Sequence, residues 1–268
     1  MELFEFSFFR NALLGVMLIS VASALIGTYI VTRRQVLVCG GITHACFGGL
    51  GLGYMLGWNP LAMAAVFAVS GSLGAEWMTA RRVRSDSAIA VIWALGMALG
   101  VLFVFLTAGY VPELNSFLFG NVLTITLTDI YLFAALLAAV ALIYLLFYHT
   151  VLAISFDADF ARTRRLPVSA VNTLMSIMVA LTIVLTIRMV GIMLLMSMLS
   201  LPQIGAELFA RRYRAMLLLS GVLSLIGSVG GLFIAYAISV PASAAIVLLM
   251  VVIYALCILS SRLCARLC

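Results

Sequence analysis

Lysine is missing from this chain: all fifteen basic residues among its 268 are arginine. Without a lysine amine there is no P-loop lysine and so no Walker-A nucleotide site. Schiff-base chemistry on retinal or pyridoxal phosphate is excluded for the same reason. Charge of either sign is also scarce, at 9% of residues, where a soluble domain carries about 25%. Hydrophobic residues reach 66% against roughly 45–50%, which excludes a soluble globular domain. Only two histidines and five prolines occur, so long apolar runs go uninterrupted.

Those runs have the length of membrane spans. A spanning helix needs about 20 mainly apolar residues, and the arginines divide the chain into nine such stretches: 11–32, 36–57, 60–80, 87–107, 129–149, 168–187, 190–208, 215–237 and 241–261. The break between the sixth and seventh is short, so the expectation is an all-α integral membrane protein, a polytopic bundle of 8–9 helices. Residues 1–268 form a single transmembrane domain, because nine spans of about 20 residues leave room only for connectors. Glu2 and Glu5 replace the basic start of a secretory signal, so no cleaved signal peptide is expected.

Cytoplasmic loops collect the basic residues. With nine spans, Arg33, Arg34, Arg81, Arg82, Arg84, Arg162, Arg164, Arg165, Arg211, Arg212, Arg214, Arg262 and Arg266 fall on one side, and Arg10 and Arg188 on the other. The N-terminus is then outside and the C-terminus cytoplasmic. This topology accounts for the net charge of +6, and no nucleic-acid partner is inferred.

The acidic residues follow the two faces. Glu2, Glu5, Glu113 and Asp129 belong outside; Glu76, Asp86, Asp157, Asp159 and Glu207 belong at or near the inner side. A proton- or sodium-driven carrier usually keeps a carboxylate at depth, so this placement disfavours one. Cys39, Cys46, Cys257, Cys264 and Cys268 show no metal or redox spacing and read as small buried apolar residues.

His44 lies ten residues beyond Arg34, about 15 Å into a hydrocarbon core of about 30 Å. Gly41, Ala45, Gly49, Gly53 and Gly57 recur at every fourth position around it, a row that lets another helix approach closely. His44 shares its face with Gly40, Gly48 and Gly51, and Cys39 and Cys46 point away. A neutral imidazole on an uncrowded face suits a transition metal; a histidine hydrogen-bonded across a helix interface fits the same residues. A bis-histidine haem pairing His44 with His149 is poor, because His149 sits at the inner end of its span. Residues 155–167 open with acids, close with arginines and stop at Pro167, the charge order of a short surface helix. Phe156 and Phe160, four apart, would form its apolar stripe.

Several segments in this order resemble the permease subunits of bacterial zinc, manganese and iron ABC transporters. They are Arg33-Arg34 with Gly41-Ile42-Thr43-His44-Ala45-Cys46-Phe47-Gly48-Gly49-Leu50-Gly51, Asn59-Pro60, Asp86-Ser87-Ala88-Ile89 and Leu118-Phe119-Gly120-Asn121-Val122-Leu123. Asp157-Ala158-Asp159-Phe160-Ala161-Arg162 follows, then Val190-Gly191-Ile192-Met193-Leu194-Leu195 up to Pro202, and Pro241 to Val247. The resemblance implies a type II ABC importer-like permease in the bacterial plasma membrane, itself no enzyme and without a cofactor. It implies three partners: a separate ABC ATPase, an extracytoplasmic metal-binding protein and a second permease copy. Asp157, Ala158, Asp159, Phe160, Ala161 and Arg162 would couple to the ATPase, and His44 would touch the passing metal ion. Three positions depart from the family: Gly40 and Ser239 replace common aspartates, and Arg165 replaces a glycine. Losing two carboxylates weakens a hard-ion site, whereas the thioethers of Met189, Met193, Met196 and Met198 suit Cu(I) or serve as ordinary packing. The other readings are a permease for a metal chelate or organic cofactor, and a non-transporting haem-binding membrane protein.

Overall fold

The structure, a computed structural model, describes residues 6–107 and 120–267. Glu2, Glu5, Glu113, Leu118, Phe119 and Cys268, named above from sequence, lie outside these. Every element among the described residues is helical. The first span runs from Ser7 to Thr32 as α1 (Ser7–Ala22), one π-helical turn (Ser23–Gly27) and α2 (Thr28–Thr32). Then come α3 (Val36–Leu56), α4 (Pro60–Ala80), α5 (Ser85–Leu106), a 3₁₀ turn (Val122–Thr124) and the long α6 (Leu127–Phe156). The chain closes with α7 (Ala158–Thr163), α8 (Val168–Val190), α9 (Ile192–Met198), α10 (Leu201–Glu207), α11 (Tyr213–Ile238) and α12 (Ala242–Leu267).

Eight helices, counting Ser7–Thr32 as one, are long and apolar enough to cross a membrane. The seventh stretch expected from sequence, 190–208, is not a ninth continuous helix. It breaks at Leu199 and Ser200 into two seven-residue pieces, α9 and α10. It nevertheless carries the chain the length of the bundle. Its start, Gly191, lies beside Gly120 just ahead of α6, and Tyr213, just beyond it, packs its ring 6.2 Å from Phe156 at the far end of α6. Arg33, Glu76 and Arg162, all expected at or near the inner side, line one shared cavity.

Local chemistry sets the helix ends. Asn59 caps α4, its Oδ1 accepting from the amides of Leu61 and Ala62 at 3.0 and 3.3 Å, with Pro60 in the first turn. Thr126 and Asp129 form a reciprocal capping box at the start of α6, satisfying donors that a helix start leaves free. At the arginine-rich end, α2, α4 and α7 terminate alike. Arg34, Arg82 and Arg165 take left-handed φ values of 55°, 66° and 57°, and the paired return hydrogen bonds of a Schellman motif surround each.

Two polar features join the first span to the second half of the chain. Ser20, Ser23 and Thr28 meet Ser228, Ser224 and Ser220 through hydroxyl contacts of 2.8, 3.1 and 3.3 Å. The serines of α11 are four apart, on one face, as helix association in lipid favours. The Gln203 amide of α10 donates to the carbonyl of Ser23 at 2.7 Å, just where the backbone relaxes into its π turn. A side chain entering the helical ladder is a recognised cause of such a bulge.

Candidate functional site

α3 is a wedge between two helices. On one side, a Cβ at Gly49 would lie 2.3 Å from the Met63 carbonyl and one at Gly53 2.6 Å from Pro60 Cα, so α4 touches backbone to backbone. On the other, Gly41 meets Ile89, Gly51 meets the Gly100 carbonyl, and Gly96 presses on Ala45. The expected small-residue row therefore packs against both α4 and α5, with one correction. Gly57 has no neighbour within 4 Å and instead ends the helix at φ 67°. Gly48 and Gly51 are also not the open lining expected beside His44, because Phe67 and the Gly96 and Gly100 carbonyls fill that space. The α5 half of this contact was readable as the G-x-x-x-G of Gly96 and Gly100.

Gly40 is different. A Cβ there would make only ordinary contacts, 3.5 Å from Met196 Cε and 3.9 Å from Trp93 Cζ3. One turn on, the His44 ring stacks on Trp93 at 4.1 Å and 12° and on Phe47 at 6.0 Å. Its Nδ1 is buried with no hydrogen-bond partner among the described residues, so that nitrogen does not make the cross-helix hydrogen bond that sequence left open for this residue. Trp93 is 42% exposed on α5, so the His44 face lies toward the outside of the subunit. Sequence reasoning passed over Trp93, whose signal was the one indole of its span. His149 is exposed and packs edge-on against Tyr148, with a ring environment separate from that of His44. Cys39 and Cys46 are buried in the core, as expected.

A cavity of about 700 Å³ opens at the arginine-rich end on another face of α3, lined by Tyr29, Arg33, Cys39, Glu76, Arg162 and Asn172 among others. A network crosses its wall. Arg33 donates to the Tyr29 hydroxyl and to Asn172 Oδ1. Asn172 Nδ2 donates to Glu76 Oε1 at 2.6 Å, and the Ser176 hydroxyl donates to the same oxygen. Sequence put Glu76 near this face but gave no sign of its partners on α8. His44 does not line this cavity.

The segment 155–167 holds a single short helix, α7, capped by Asp157, whose Oδ1 accepts from the amides of Asp159 and Phe160 at 3.0 and 2.9 Å. Arg162 pairs with Asp159 at 3.0 Å, and Ala161 is buried. The Phe156–Phe160 stripe does not form. Phe156 is the last residue of α6, and the extended Asp157 (φ −152°) separates it from Phe160.

At the opposite end Gly120, at φ 59°, lies against the Val190–Gly191 backbone, where a Cβ would fall 2.3 Å from Val190. Two segments of the resemblance thus meet in space. A second cavity of about 510 Å³ there is lined by Phe9, Gly120, Asn121, Tyr236, Ser239 and Pro241 among others. Arg188 Nε reaches Asp129 Oδ1 at 2.5 Å. That oxygen has no aligned hydrogen bond, so the contact is an ion pair, and it ties α8 to α6.

Comparison with known proteins agrees with this architecture. The family model described as ABC 3 transport family matches residues 5–261. An uncharacterised membrane protein of Synechocystis is 36% identical over 93% of this chain and 89% of its own length. The manganese transport system membrane protein MntC of Halalkalibacterium halodurans is 30% identical over 95% and 88%. The solved structure of PsaBC from Streptococcus pneumoniae in complex with Fab is 29% identical, has a TM-score of 0.83 and covers 95% of this chain and 92% of that one. A match over nearly the whole length, on a shared arrangement of helices, establishes that the chain belongs to the ABC-3 transport family and is a membrane-spanning permease of a metal-ion ABC transporter.

Proposed function

We propose that this permease forms the path of an ATP-driven importer of divalent transition-metal ions, zinc, manganese or iron, with His44 on that path. The arginine-rich end is cytoplasmic. There α7 docks a separate ATPase, and ATP-driven closure moves it as a rigid body. An extracytoplasmic metal-binding protein delivers the ion at the other end. The observation that carries the reading is His44 itself: a mid-span imidazole with a buried, unpartnered Nδ1 on a face that the subunit leaves partly open. An unpartnered polar ring beside a partly open face is costly in lipid, so a second permease copy covers this face and the path runs between the two. One weak ligand from each copy lets an ion enter and leave, and direction comes from the ATPase.

Uptake of radiolabelled Zn²⁺, Mn²⁺ and Fe²⁺ by proteoliposomes holding the complete complex tests this. His44→Ala is expected to lower uptake at limiting metal by about tenfold or more, the scale on which ligand shells act. Full uptake by that variant removes His44 from the path.

A further inference from the structure

Four methionines cluster near the broken span, and the structure separates them. Met189 and Met198 are buried in the apolar core, 2% and 0% exposed, and Met193 is 49% exposed. Met196 comes to α3, with Cε 3.5 Å from the point where a Gly40 Cβ would stand. Trp93 connects the two groups. The edge of its indole, Cζ3, is 3.9 Å from that same point, and its face carries the His44 ring. Residues four apart on a helix hold their Cβ positions about 5–6 Å apart, so the end of the Met196 side chain and the His44 ring both lie beside the Trp93 indole, one turn apart along α3. Among the described residues, no group of three His, Cys, Asp or Glu side chains offers an alternative metal site.

We propose that Met196 and His44 act together as a sulphur–nitrogen ligand pair in the path, and that Trp93 positions the imidazole by stacking. Thioether and imidazole ligands favour thiophilic or borderline ions, whereas Mn²⁺ prefers oxygen. The substrate class is accordingly a nitrogen- and sulphur-seeking ion such as Zn²⁺, for which Cd²⁺ is a convenient probe. This specificity rests on the reading of His44 as a point on the path.

The test uses the complete transporter in proteoliposomes with ¹⁰⁹Cd²⁺ and ⁵⁴Mn²⁺ as competing probes. Met196→Leu conserves volume, a swap that packed cores tolerate well, so the complex assembles. Its Cd²⁺ uptake at limiting concentration is expected to fall about tenfold with Mn²⁺ uptake little changed, and Met193→Leu is expected to match the parent for both ions. X-ray absorption of the Cd²⁺-loaded complex is expected to show a sulphur neighbour that Met196→Leu removes. Parental Cd²⁺ uptake and an unaltered sulphur signal in Met196→Leu, with His44→Ala inactive, overturn the thioether ligand and leave His44 in place. Full uptake of both ions by His44→Ala overturns the path reading, and this proposal with it.

Discussion

Arg165 shows how much one residue's backbone can record. It stands where the resembling family has glycine, and it holds φ 57° at the end of α7, with its amide returning to the Arg162 carbonyl and that of Leu166 to Ala161. The left-handed conformation costs an L-residue roughly 1–2 kcal/mol, and glycine's extra chain entropy costs about 0.5–1 kcal/mol. Arg165→Gly is therefore expected to raise stability by about 0.5 kcal/mol. Arg165→Val, β-branched and ill-suited to this region, is expected to lower it by at least about 1 kcal/mol. Thermal unfolding of the detergent-solubilised permease ranks the three; a valine variant as stable as glycine contradicts the account. The departure from glycine was visible in sequence, but not its meaning. That came only when Arg34 and Arg82 proved to share the geometry.

At the scale of the element, α3 was legible in outline and misleading in detail. Its row of small side chains at every fourth position predicted close approach, and contact at Gly49 and Gly53 is backbone to backbone. Composition alone gave no way to tell a glycine held against a neighbour from one that ends the helix or one beside open space. Gly49, Gly57 and Gly40 are these three cases, and alanine distinguishes them. Gly49→Ala would set its methyl 2.3 Å from the Met63 carbonyl, so α3 and α4 must separate, at about 1–3 kcal/mol. Gly57→Ala meets nothing but is strained at φ 67°, costing roughly 1 kcal/mol. Gly40→Ala makes only ordinary contacts and is expected to match the parent within about 0.5 kcal/mol. The thermal midpoints of the three variants are expected to rise in that order, and a Gly40→Ala protein as unstable as Gly49→Ala would refute the packing. The serine seam and the break at Leu199 escaped sequence reasoning for a related reason. Ser220, Ser224 and Ser228 are meaningful only opposite Ser20, Ser23 and Thr28, some 200 residues away, and hydropathy does not register a kink inside an apolar run.

At the scale of the whole molecule, the absence of lysine and the one-sided arginines carry the most. Under the proposed function they assign ATP hydrolysis to a separate subunit and mark the end at which it acts. At that end lies the short helix α7 (Ala158–Thr163), which the proposed function sets against the ATPase. α7 is anchored by the buried Ala161 and by the Asp157 cap, and Ala158 and Arg162 contribute to the wall of the 700 Å³ cavity. Phe160 projects from it, 57% exposed, as an unused apolar anchor. Aromatic anchors dominate many interfaces, each worth about 2 kcal/mol or more when removed, whereas exposed substitutions usually change fold stability by no more than about 0.5 kcal/mol. Phe160→Asp therefore separates docking from folding. The solubilised permease is expected to keep its thermal midpoint, and its affinity for the ATPase is expected to fall roughly 30-fold, the equivalent of about 2 kcal/mol. In proteoliposomes, metal uptake per ATP hydrolysed is expected to drop with it. Unchanged co-purification and unchanged coupling in Phe160→Asp would place the ATPase contact elsewhere on the arginine-rich face, where the connector 208–212, with Arg211 and Arg212, offers another surface.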